Sequence, residues 1–507
     1  MIKPDGQILV IFGASGDLTK RKLLPSLYEL FARDMLPENF VILGVARTPF
    51  SDEEFRIQQK DNLKAFLKGK HPEAKQLDAF LERVHYLGFN SDEAAEYHLL
   101  VEKIAELRKA KDIPDHLIFY LATPPQKYGP IAEALRKSKL NKASEEGGWR
   151  RIIVEKPFGY DLESARELNK TYASVFNEHQ IYRIDHFLGK ETAQNVLAFR
   201  FANGIFEPLW NRNYIDYVEI TAVENLGIEQ RGGFYETAGA LRDMVQNHLI
   251  QLVALTAMEP PAVFNADNFR NEVVKVYESL TPLNEVDLNE HIVRGQYTAS
   301  GNKKGYREEK GVAPDSRTDT YIAMKLGISN WRWSGVPFYI RTGKQMPTKV
   351  TEIVVHFRET PHQMFHCAGG NCPRANKLIL RLQPNEGIVL KIGMKVPGAG
   401  FEVRQVTMDF SYAQLGGVPS GDAYARLIDD CIQGDPTLFT RSDAVEASWK
   451  FFDPVLRYWK DNPDAPLYGY PAGTWGPLES EAMMHEHGAD WTNPCKNLTN
   501  TDQYCEL

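Results

Sequence analysis

Apolar residues follow two different patterns along this chain, and the change from one to the other divides it. Residues 8–13 (ILVIFG) are continuously apolar, as a parallel strand buried on both faces requires. A helix is expected from about Thr19 to Arg33, because Leu23, Leu24, Leu27, Leu30 and Phe31 share one face. Phe40–Ala46 is a second buried run, which completes a strand–helix–strand unit. Further strands are expected at 84–87, 116–121 and 151–155, with charged amphipathic helices between them. Alternating strands and helices predict a doubly wound, Rossmann-like parallel sheet over residues 1–180. From about Tyr214 the strands alternate instead, as in 217–223, 352–357 and 377–382. Alternation predicts a sheet with one packed and one wet face, usually antiparallel. An α+β domain with a large, mostly antiparallel sheet is therefore expected over 181–507. Residues 300–316 are polar and glycine-rich, and read as a mobile surface loop.

Composition narrows the classes. The 507 residues exceed one hydrophobic core, in keeping with two domains. A net charge of −8 leaves no basic excess for nucleic acid or an acidic membrane. The partner is then expected to be a small molecule, and an anionic one needs a local cluster of Lys, Arg and His. No apolar run reaches the length of a membrane span, and the start reads as a strand rather than a signal peptide. Five cysteines, an odd and sparse set, suit a reducing compartment, so a cytoplasmic location is expected. His362, His366, Cys367 and Cys372 contain an H-x₃-H spacing, but the thiol spacing is atypical for zinc; a surface loop is expected there, and no metal.

Candidate chemistry begins at the first strand-to-helix turn, Gly13-Ala14-Ser15-Gly16-Asp17-Leu18. Gly13 and Gly16 allow a tight turn and close approach to a pyrophosphate, which the helix N-terminus favours. After the second strand, where an NAD site usually carries an acid, stands Arg47. An arginine there pairs with a 2′-phosphate and Ser15 adds a hydroxyl, so NADP is the expected cofactor. Lys156, extended before Pro157, follows the strand ending at Val154, where it can aim an ammonium into a ligand crevice.

The nonapeptide Arg183–Glu191 (RIDHFLGKE) gathers more groups around Gly189. Asp185 can orient a partner, and His186 and Lys190 can donate to an oxyanion. Gly189 is expected to let the backbone turn so that they converge. Downstream, Leu241, Val245, His248, Leu252 and Leu255 form one helical stripe in which His248 is the polar member. Burial keeps an imidazole neutral near neutral pH, as a general base must be. Such a base needs an orienting carboxylate. Asp243 lies about 140° round an α-helix from His248, so Asp185 is the better candidate.

These segments resemble the glucose-6-phosphate dehydrogenase family. RIDHFLGKE is similar to its RIDHYLGKE signature, with Phe187 where a tyrosine is usual. GASGDLTKRKLLPSLYEL with GVART, EKP, RGGFYETAGALRDMVQNHLIQ, GVPF…GK and YARLIDDCIQGD…FTRSD occur in the family's order. The resemblance implies oxidation of glucose 6-phosphate at C1 with NADP, by a homodimer or homotetramer built through the large sheet. It implies His248 as base with Asp185 as partner, and His186 and Lys190 on the phosphate. It further implies a cis bond at Pro157, Lys156 against both substrate and cofactor, Tyr128 beside the nicotinamide half, and Lys344 and Lys349 as ligands. Glu224 and Asp243 suit sugar hydroxyls, since carboxylates accept in directional pairs. Phe187 in place of the usual tyrosine removes a hydroxyl donor, so the phosphate clamp is expected to rest more heavily on His186 and Lys190. A silent NADPH-binding sensor would be expected to lack the base or its partner, and both are present.

Overall fold

The computed structural model describes residues 3–67, 73–144, 147–362, 364–367, 375–415, 422–486 and 488–494. The chain divides into two compact units. The first comprises Met1–Lys190 with Val263–Arg270 and Pro419–Glu446; the second takes the remainder.

The first unit holds six strands: β1 (Gln7–Phe12), β2 (Phe40–Ala46), β3 (Val84–Gly88), β4 (His116–Leu121), β5 (Trp149–Glu155) and β6 (Ile181–Ile184). All pair in parallel, in the order β3-β2-β1-β4-β5-β6, the Rossmann arrangement. The five expected strands are present, and β6 is an addition: four residues, all buried, too few to show a period. The first helical segment begins with a π-helical stretch, Thr19–Leu23, and continues as an α-helix over Leu24–Ala32. Leu23, Leu24, Leu27 and Leu30 are buried as their spacing predicts, since they must cover the sheet.

The second unit is built on a ten-stranded sheet of β7 (Ile215–Val223), β8 (Ile292–Thr298), β9 (Tyr321–Leu326), β10 (Phe338–Gly343), β11 (Val350–Phe357), β12 (His366–Cys367), β13 (Lys377–Gln383), β14 (Gly387–Lys395), β15 (Glu402–Ser411) and β16 (Tyr468–Pro471). The order is β12-β15-β14-β13-β11-β7-β10-β9-β8-β16. Neighbours are antiparallel except β7–β10, β8–β16 and β12–β15. The expected wet face is confined to one end of this sheet. Strands β14 and β15 are largely half-buried or exposed, with neighbouring residues such as Gly393–Lys395 and Arg404–Gln405 open together, but the polar positions of the central strands are enclosed. Glu219 and Arg341 are both fully buried. Glu219 is paired with His356 at 2.5 Å and accepts from the Thr492 amide at 2.8 Å, which meets the cost of enclosing its charge.

Residues 300–316 form a surface segment that is pinned rather than loose. Tyr306 is buried and donates to Glu236 at 2.6 Å, and Ser316 donates to the same carboxylate at 2.7 Å. Cys372 and the side chains of His366 and Cys367 lie outside the described residues.

Candidate functional site

In the first unit the expected cofactor residues gather at the carboxyl end of the parallel sheet. Gly13 leaves β1 with φ of +88°, and its N–H donates to Val45 O at 2.8 Å. A Cβ there would lie 2.3 Å from Ala122 O, so the turn fits against β4 only as glycine. Gly16 N donates to Gly13 O at 2.9 Å and the Thr19 hydroxyl to the same oxygen at 3.1 Å. This fixes the turn just before the first helical residues, whose N–H groups have no intrahelical acceptor. That cradle fits the pyrophosphate of a dinucleotide. Ser15 is exposed at its rim and Leu18 is half-buried. Asp17 points outward to Lys20 at 2.6 Å and Arg21 at 3.6 Å, and the Lys20 hydrogen bond holds its carboxyl below the usual range. Arg47 follows β2 directly and is exposed.

Lys156 and Pro157 are joined by a cis peptide bond, as the resemblance implies. Beside them, Glu155 accepts from the Tyr120 hydroxyl at 2.5 Å and also bonds Tyr424. Burial pushes the Glu155 carboxyl up to about 7, against the pull of the Tyr120 bond and the Lys156 charge. Tyr128 is buried, and burial together with the Glu155 charge raises its phenol.

Strand β6 delivers Asp185, His186 and Lys190 into one tight turn. The Phe187 N–H donates to the Asp185 carboxylate at 3.0 Å and Leu188 N–H to Asp185 O at 3.1 Å. Asp185 is 2 % exposed. The Lys190 ammonium lies 3.7 Å from the Phe187 ring centroid, a cation–π seat. Gly189 turns the backbone without a positive φ; its requirement is space. A Cβ there would meet Ala423 O at 2.6 Å and Leu427 Cγ at 2.9 Å, on the helix Ala423–Gln433. Tyr424 of that helix stacks on His186, with centroids 6.2 Å apart and planes within 7°. Sequence reasoning missed Tyr424: it lies far along the chain and no local periodicity marks it.

In the second unit, the helix carrying His248 is π-helical over Leu241–Leu249 and α-helical over Ile250–Ala257. His248 is 1 % exposed and sits among buried neighbours on nearly every side, including Asp243, Met244 and Gln246. The single apolar stripe is therefore a simplification. The 140° separation of Asp243 also fails, because i→i+5 bonding brings residues five apart closer to one face. Asp243 is committed to Lys344, at 3.8 Å, and Lys344 also bonds Glu224. Burial raises the Glu224 carboxyl, but the Lys344 charge and hydrogen bond, with Lys349, bring it below its ordinary range. The Lys344 ammonium stands 5.6 Å from the Tyr235 ring centroid, while Lys349 is exposed. Glu224, Asp243 and Lys344 thus form one acid–base cluster with alternating charge, suited to hydroxyl groups.

Residues 10–195 match the family model described as glucose-6-phosphate dehydrogenase, NAD binding domain, and residues 197–492 match the C-terminal domain model of the same family. The chain is similar to glucose-6-phosphate 1-dehydrogenase of Aggregatibacter actinomycetemcomitans, at 50% identity over 97% of this chain and 98% of the relative. The corresponding protein of Treponema pallidum is 47% identical over 99% of this chain and 98% of the relative. A solved structure of glucose-6-phosphate dehydrogenase in complex with its substrate glucose-6-phosphate superposes with a TM-score of 0.88 at 35% identity, covering 97% of this chain and 100% of that one. The structure of the Mycobacterium avium protein gives 0.81 at 37% identity, covering 97% and 99%.

The raised Glu155 carboxyl has a measurable consequence. Between the ordinary carboxylate range and about 7 the folded state holds this proton more tightly than the unfolded chain, so the group's contribution to stability falls as pH rises through that window. Glu155→Gln removes the titration. Thermal unfolding should show the variant more stable than the parent near pH 8, with the advantage gone at about pH 5. A pH-independent difference would show that Glu155 is ionised throughout.

Proposed function

The chain belongs to the glucose-6-phosphate dehydrogenase family, and from that membership we propose that it oxidises the C1 hydroxyl of D-glucose 6-phosphate to 6-phospho-D-glucono-1,5-lactone, forming NADPH. This is the first step of the oxidative pentose phosphate pathway. NADP⁺ supplies the hydride acceptor; the protein supplies the base and the geometry. Gly13 and Gly16 shape the turn that cradles the pyrophosphate, with Asp17 and Leu18 beginning the helix beside it; Arg47, with the Ser15 hydroxyl, takes the 2′-phosphate, and Tyr128 and Lys156 stand at the nicotinamide end. His248 removes the proton from the C1 hydroxyl, while Asp185 orients the imidazole and stabilises its cation. His186 and Lys190 hold the substrate phosphate. Lys156, Glu224, Asp243, Lys344 and Lys349 hold the sugar.

The observation that carries this reading is the buried His248 on the same π-helical stretch as Asp243, whose partner Lys344 also binds Glu224. One element then carries the base and one of the hydroxyl ligands, and the Asp243–Lys344 pair ties the others to it. Following NADPH absorbance with glucose 6-phosphate and with glucose tests the substrate; equal rates would remove the role of the phosphate.

A cytoplasmic setting follows from the sparse cysteines, and no helix among the described residues is long and apolar enough to cross a membrane. A homodimer or homotetramer through the large sheet is supported by Met394, Met408 and Phe410, which stay exposed on β14 and β15. Light scattering should give twice or four times the chain mass, and a monomer at micromolar concentration would count against this.

His248→Asn should lower kcat by roughly 10²–10⁴-fold with little change in KM for glucose 6-phosphate. A KM defect at normal kcat would rule out the base. Arg47→Ala should raise KM for NADP⁺ far more than for NAD⁺, and steady-state kinetics with both cofactors would expose an equal effect.

A further inference from the structure

The segment carrying His248 does not continue smoothly from the helix before it. Gly239, inside the segment Gly232–Ala240 and two residues before the π-helical stretch from Leu241, breaks the path, with φ of +62° and ψ of 176°. A second helix therefore begins at this point, and its first N–H groups need acceptors. No side chain of its own caps it. The acceptors come from Asp319, just before β9: its backbone oxygen takes the Ala240 N–H at 2.9 Å, and its carboxylate takes the Leu241 N–H at 3.0 Å. The carboxylate also lies where a Cβ on residue 239 would stand, 2.9 Å away, so break and cap are matched. Asp319 is 8 % exposed, and burial raises its carboxyl against the pull of the Arg294 charge and of the backbone N–H groups at the helix start.

The next residue ties this cap to the substrate cluster. Thr320 O accepts the Lys344 N–H at 3.0 Å, and the Thr320 N–H donates to Gly295 O at 2.8 Å. The Thr320 hydroxyl lies 3.1 Å from the Tyr470 hydroxyl, which donates to Lys344 O at 2.8 Å. The helix before the break is held separately, through Glu236 and the Tyr306–Ser316 segment. Two adjacent residues, Asp319 and Thr320, thus fix the start of the His248 helix and the backbone of Lys344.

We propose that Asp319 is a positioning residue for the reaction, holding the first turn of the helix that carries His248 in register with Lys344. This rests on the reading of His248 as the base. Asp319→Ala leaves the Leu241 N–H without its acceptor and lets the helix start drift. It should lower kcat by about 10- to 100-fold, the cost of a misplaced catalytic group, and shift the acidic limb of the kcat/KM pH profile. Asp319→Asn keeps a carbonyl oxygen at the same reach and should restore kcat to within about threefold of the parent, with the profile unshifted. A role in stability alone would lower the unfolding midpoint and leave kcat and the profile of the folded enzyme unchanged; that result overturns the proposal. If Asp319→Ala is not recovered folded, Asp319→Glu against Asp319→Asn decides, because Glu moves the acceptor by one methylene. A higher kcat for Asn supports positioning, and equal kcat values overturn it. His248→Asn is measured alongside: full activity there defeats the base assignment, whereas an inactive His248→Asn with a normal Asp319→Ala defeats only the positioning role.

Discussion

Strand β6 ends the parallel sheet, and an edge strand has backbone groups that must be answered from outside the sheet. Among the described residues its neighbour on that side is not another strand but the segment 439–442. The Thr440 N–H donates to Arg183 O at 3.2 Å, and the Asn169 amide donates to Ser442 O at 3.2 Å. Arg151 on β5 donates to Cys431 O at 2.7 Å and Ile432 O at 2.8 Å, at the end of the helix Ala423–Gln433 where carbonyls run short of intrahelical donors. The same helix closes on Gly189 and lays Tyr424 along His186. Edge closure and the shape of the Asp185 turn therefore have one cause.

The two units manage buried charge by different means. In the first, Glu155 is enclosed with neutral phenols around it and is driven toward its protonated form. In the second, Glu224 and Asp243 share the Lys344 ammonium, and Glu224 is held ionised. Desolvation is the largest influence on both Glu155 and Glu224; at Glu224 the Lys344 charge and hydrogen bond, with Lys349, outweigh it, and at Glu155 the Tyr120 bond and the Lys156 charge do not.

Much of the first unit was legible because parallel strands buried on both faces are written as unbroken apolar runs, and β1, β2 and β4 are such runs. Gly13 was legible as a turn, and the structure adds what excludes every other residue there, the Ala122 carbonyl. The central strands of the large sheet were placed correctly but their polar positions were not. Alternation marks which residues share a face; it cannot say that Glu219 and His356 will meet and be buried together. The His248 helix was found from its period, whereas its π-helical winding and the break at Gly239 follow from packing and from Asp319, which no local pattern announces. Gly189 was singled out for the wrong freedom: the constraint is a helix contributed from much further along the chain.

That closure orders events in time. The turn bearing Asp185 is complete only when the helix Ala423–Gln433 packs against Gly189, and that helix leaves the ribosome more than two hundred residues later. At the usual pace of translation the interval is on the order of tens of seconds. Throughout it the Arg183 carbonyl on β6 lacks the Thr440 N–H that answers it in the folded unit.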